Sequence, residues 1–75
     1  MENYLKGLEW ELVEKLTIRG ERLIFKKNNL FLDYIPEANI LSIYEAPNSY
    51  TIIYKFNGFI KNNLEFSILC KFLKI

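Results

Sequence analysis

A chain of 75 residues that is 51% apolar and 25% charged, with a formal net charge of +1, makes one domain at most and is too hydrophobic to stay disordered. It has no His, one Cys and three isolated glycines (Gly7, Gly20, Gly58). That excludes Ser-His and Cys-His nucleophile pairs, Cys/His metal clusters and Gly-rich phosphate loops. Charged or Asn residues break every apolar stretch well short of the roughly 18 residues of a membrane span.

At the start of the chain, Leu5, Leu8, Leu12 and Leu16 recur at spacings of three and four, the period of one helix face. The spacing predicts an amphipathic helix over 3–18, with Asn3 as N-cap and Gly20 as the left-handed stop. A strand competes for part of this segment, with Leu8, Trp10 and Leu12 buried in alternation and Glu9 and Glu11 turned away. On the helix, Trp10 falls opposite the leucine stripe, between Lys6 and Glu14. A Trp ringed by charge has the composition of a binding hot spot. Strand geometry, or a loop folding back, would instead hide Trp10 in the core.

Beyond Gly20, short runs rich in β-branched and aromatic residues predict strands over 21–27, 30–35, 40–46 and 50–56. Asn28-Asn29, Pro36 to Asn39, Pro47 to Ser49 and Asn57-Gly58 separate them as turns, Asn57-Gly58 being the strongest hairpin signal. Links this short join antiparallel neighbours, so the topology is a meander. Residues 64–73 would be apolar all round as a helix. Their alternation (Leu64, Phe66, Ile68, Cys70 and Phe72 on one side) predicts a last strand, with Asn62-Asn63 as a turn or bulge before it. The expected fold is α+β: one N-terminal amphipathic helix on an antiparallel meander of about five strands, open or curled into a small barrel.

The run Gly20-Glu21-Arg22-Leu23-Ile24-Phe25-Lys26-Lys27, with Tyr34-Ile35-Pro36 and Ile40-Leu41-Ser42-Ile43, resembles the opening hairpins of bacterial pleckstrin-homology-like domains over about a third of the chain. That family carries its helix after the strands, whereas the predicted helix here comes first. The resemblance transfers no functional residue.

No constellation of residues reads as catalytic. Cys70 sits in an apolar row with no activating neighbour in the sequence, and Glu9, Glu11 and Glu14 diverge around a helix as a solvated face. The expectation is a protein without catalytic activity, cofactor or metal. Several predicted strands are apolar on both faces, more than one short helix can cover, which calls for a barrel or a partner. The expected role is an inhibitor or adaptor that docks on a larger protein, or on a second copy as a homodimer, through Trp10, Lys6, Glu14, Ile53, Leu69 and Leu73. The alternative is a single-stranded nucleic-acid or nucleotide binder that stacks bases on Tyr34, Tyr44 and Tyr54 beside Lys26, Lys27 and Lys55. The small net charge argues against a duplex-DNA binder. The unpaired Cys70 and the absence of a secretory pattern in the first residues point to the cytoplasm. Ile, Lys, Asn, Phe and Tyr dominate the composition, as AT-rich coding would produce, which would suit a bacterial, phage or plasmid accessory factor.

Overall fold

The computed structural model describes residues 1–75. In chain order these form α1 (Glu2–Gly7), β1 (Glu11–Leu16), β2 (Arg22–Lys27), β3 (Leu30–Ile35), a single 3-10 turn (Pro36–Ala38), β4 (Ile40–Asn48), β5 (Thr51–Phe59) and α2 (Asn63–Leu73). The strands form one antiparallel sheet in the order β1-β2-β3-β4-β5, an open meander that does not close into a barrel. The fold is therefore α+β and mostly sheet, as expected. No helix is long and apolar enough to cross a membrane.

Strand period two sorts the side chains onto two faces. Residues directly opposite in an antiparallel pair share a face, so Leu23, Tyr34 and Leu41 form one core column and Phe25, Leu32, Ile43 and Phe56 another. Buried Leu5, Trp10, Ile60 and Phe66 complete this core, which α1 and α2 cover from the same side of the sheet. The two helices meet where Tyr4 packs edge-on to Phe66, their ring centroids 6.2 Å apart. Nothing within the chain covers the opposite face.

The helix expected over 3–18 ends at Gly7, and residues 11–16 pair with β2 as an edge strand. The stop is a Schellman motif: Glu9 takes the left-handed conformation (φ 71°), its N–H donates to the Lys6 carbonyl, and the Trp10 N–H donates to the Leu5 carbonyl at 3.0 Å. Leu5 and Trp10, the two ends of that second bond, both lie in the core. Trp10 is only 2% exposed, so its expected place on a solvent-facing helix beside Lys6 and Glu14 is wrong. Leu12 packs on the core from β1, and Leu16 is exposed on the other face. Asn3 is not the N-cap, because α1 already begins at Glu2.

Residues expected as a strand over 64–73 form α2 instead. The Asn62 side chain accepts a hydrogen bond from the Glu65 N–H at 2.9 Å, and the Glu65 carboxylate accepts from the Lys61 N–H at 3.0 Å, close to a capping box. Phe66, Leu69, Cys70 and Leu73 supply the inward face. Asn57-Gly58 is not a hairpin turn, because β5 runs straight through it. Gly58 lies under the ring of Phe56, 3.2 Å from where a Cβ would sit, and Asn57 bonds across to Ser42. The count of five strands holds because β1 replaces the strand lost at the C-terminus.

Two substitutions test this account by denaturant unfolding. Trp10→Ala should cost about 3–5 kcal/mol, the range for emptying a large aromatic from a core, and so unfold most of a domain this small. Glu9→Gly should instead gain up to about 1 kcal/mol by relieving a left-handed residue with a Cβ. An unchanged midpoint for Trp10→Ala would refute the packing described.

Candidate protein-interaction surface

The uncovered sheet face is built by the same register that makes the core. Glu11, Lys26, Phe31, Tyr44 and Tyr54 are opposite one another in turn and form a row across all five strands. A second row runs Glu14, Ile24, Asp33, Ser42 and Asn57. Within the first, Phe31 and Tyr44 stack with centroids 5.5 Å apart and planes 16° from parallel, Tyr54 tilts against Tyr44 at 5.8 Å, and the Lys26 ammonium lies 5.5 Å from the centre of the Phe31 ring. Offset stacking and a cation over a ring face are both favourable contacts. They hold the aromatic row as a rigid ridge with Tyr54 exposed at its end.

At the centre of this face, two pairs of polar groups satisfy one another. Arg22 donates from Nε to both Asp33 carboxylate oxygens at 2.9 Å and from its terminal nitrogen to one of them. This pairing raises the Arg22 pKa, first through the hydrogen bonds that Arg22 donates to Asp33 and then through the charge attraction between them. Ser42 donates its hydroxyl to the Asn57 side-chain oxygen at 2.9 Å. A surface whose polar atoms already hold partners loses less on desolvation than one that would leave them orphaned.

The residues expected to form a docking site are scattered. Lys6 is exposed on α1, Trp10 is core, Glu14 is on the open face of edge strand β1, and Ile53 is on the opposite edge strand facing Glu45. Leu69 and Leu73 pack their inner sides against the core. The expected nucleic-acid set also splits. Tyr44, Tyr54 and Lys26 come together on the open face, but Tyr34 is buried in the core, Lys27 reaches the Trp10 ring on the other side at 6.0 Å, and Lys55 pairs with Glu45 at 3.5 Å. Sequence reasoning missed Phe31, Ile24 and the Arg22–Asp33 pair. The two-residue link Asn28-Asn29 was the available signal, since it fixes Lys26 opposite Phe31.

No protein-family model, curated protein or solved structure matches the chain. Burial raises the pKa of Tyr34 and of Tyr44, and also that of the Cys70 thiol, which Lys27 partly offsets. A phenol whose folded-state pKa is raised favours folding fully below the ordinary value of about 10, and that contribution is lost as pH climbs through the raised value. Unfolding free energy measured across this alkaline range should fall less steeply for Tyr34→Phe and Tyr44→Phe than for the unaltered chain. An identical slope in all three would show that neither phenol is linked to folding.

Proposed function

We propose that this chain is a non-catalytic protein-interaction module of the cytoplasm, an inhibitor or adaptor that docks its open sheet face onto a larger protein. The observation that carries this reading is the stacked Lys26–Phe31–Tyr44–Tyr54 row on a face that neither helix covers. Ordered aromatics supply large contact area without loss of side-chain freedom on binding. Tyr and Arg are the residues in which interface hot spots are enriched. Around the row, Ile24 adds half-buried apolar surface, and the Arg22–Asp33 and Ser42–Asn57 pairs supply a polar frame whose hydrogen bonds are already made. A bacterial, phage or plasmid accessory factor is the setting that suits a module of this kind.

The same row favours a second reading, because exposed aromatics beside a lysine also stack nucleic-acid bases. Charge weighs against it. Lys26 and Arg22 share the face with Glu11, Glu14 and Asp33, and Arg22 is spent on Asp33. A phosphate-tracking groove needs a basic surplus that this face does not have.

Tyr54→Ala and Tyr44→Ala should leave the circular dichroism spectrum unchanged while weakening capture of the protein partner by about 2 kcal/mol or more, the scale of a hot-spot truncation. In parallel, titration with single-stranded oligonucleotides at two ionic strengths should show no tight, salt-sensitive binding. Such binding, abolished by Tyr54→Ala, would overturn the protein-docking reading in favour of the nucleic-acid one.

A further inference from the structure

The two edges of the sheet differ in how they are protected. Edge strands present unpaired backbone groups and are normally blunted by short length, charge or bulges. At one edge, β1 is six residues long, carries Glu11, Glu14 and Lys15, and is bulged at Val13. At the other, β5 is nine residues long and its only charge is Lys55, drawn to Glu45 at a bulge. Past that bulge the segment Phe56–Phe59 is uncharged and directed along the sheet edge, and its outward backbone groups bond to nothing in the chain.

Beside this edge, α2 carries a second apolar stripe. Its inward face holds Phe66 and Leu73, whereas Leu64, Ile68 and Phe72, recurring every four residues, are 69, 59 and 83% exposed. A helix that is apolar on all sides is one that is buried on all sides. Between the stripe and β5 runs a groove of about 340 Å³, lined by Phe56, Phe59, Ile60, Ile68, Leu69 and Phe72 with Glu65 as its one charged residue. Phe59 is itself 69% exposed at its rim.

We propose that a second copy of this chain covers this surface, with β5 pairing antiparallel to β5 of the copy across a two-fold axis. The operation is self-consistent. An isologous interface brings the same patch against itself, and an axis normal to the sheet keeps both α2 helices on one side, so their Leu64–Ile68–Phe72 stripes face each other as the two edges join. The area fits as well. At roughly 200 Å² per large side chain, Phe59, Leu64, Ile68 and Phe72 expose roughly 560 Å². A standard dimer interface buries about 800 Å² per partner, about 65% of it apolar, or some 520 Å². Its charges are few: Lys55 is held by Glu45, Glu65 accepts a hydrogen bond from the Lys61 N–H, and Lys71 flanks the stripe with the opposite sign to Glu65. The paired segment Phe56–Phe59 lies past the bulge from Tyr54, so the dimer leaves the Tyr44 and Tyr54 row free.

Light scattering over an about hundredfold dilution series, read by mass action, tests the pairing. The chain should run at twice its own mass at the concentrated end and approach its own mass on dilution. Ile68→Asp and Phe72→Asp should each weaken the dimer by about thirtyfold or more with an unchanged circular dichroism spectrum, while Tyr54→Ala on the open face should leave it intact. Amide exchange along Phe56–Phe59 should slow at high concentration only. A single-chain mass at every concentration, a dimer indifferent to both Asp variants, or Phe56–Phe59 amides that exchange equally at both ends would overturn the proposal. Loss of the dimer in Tyr54→Ala alone would place the self-contact on the open face, overturning this proposal and the docking reading together. Retention of the dimer in Tyr54→Ala with no effect on partner capture would fail only the docking reading.

Discussion

A sheet has two faces, and this one has cover for only one of them. The columns Leu23–Tyr34–Leu41 and Phe25–Leu32–Ile43–Phe56 need a lid, and α1 and α2 together, joined through Tyr4 and Phe66, are just large enough to supply it. Burial of apolar area drives folding, and a chain this short has no third element to lay on the other side. An open face made wholly of ordinary core residues would expose them. Around half-buried Ile24 and Phe31 it carries residues that tolerate both environments: tyrosines with wet hydroxyls, a lysine over a ring, and polar groups paired among themselves. The constraint that forms the core thus also dictates the composition of the surface left over.

The strands were legible because their signals are local. Period-two runs between Asn- and Pro-containing turns gave β2, β3, β4 and most of β5 to within a few residues. The two helices depart from expectation for different reasons. Gly20 is the left-handed stop that the sequence offers for the first, but α1 stops at Glu9, as α2 stops at Lys74, both non-Gly residues with positive φ. Each is followed by a hydrogen bond that reaches five residues back, from Trp10 to Leu5 and from Ile75 to Cys70. What holds Glu9 in that conformation is the burial of Trp10 one residue on, a tertiary effect absent from local propensity. At α2 the sequence did contain the evidence: Asn62 followed three residues later by Glu65 is a helix-start signature, outweighed by an alternation that the helix also satisfies.

The site was half legible for a reason of parity. Once Asn28-Asn29 is a two-residue link, Lys26 must face Phe31 and Lys27 must face Leu30, so the two lysines part to opposite faces. Tyr34 and Asp33 part in the same way. Grouping Tyr34, Tyr44 and Tyr54 by residue type ignored this alternation, and the structure sends Tyr34 inward while Tyr44 and Tyr54 face out. The step from β3 to β4 was not recoverable, since the 3-10 turn at Pro36–Ala38 and the left-handed Asn39 set that register. Nothing in their spacing predicts that Phe31 meets Tyr44.

The apolar character of α2 all round, which told against a helix in the sequence, is more informative now that it is one. A lone domain gains nothing from Leu64, Ile68 and Phe72 in water, because exposed apolar side chains add no burial and invite association. The only charges beside them are Glu65, which is used in the cap, and Lys71 in the last turn. Meanwhile β1, the edge on the far side, is short, charged and bulged, devices that discourage strand addition. Protection is weaker at the other edge, where the segment past the Lys55 bulge carries no charge, and folding of the single chain does not require that difference. The proposed second copy, laid along that edge and the apolar side of α2 together, would account for both features at once.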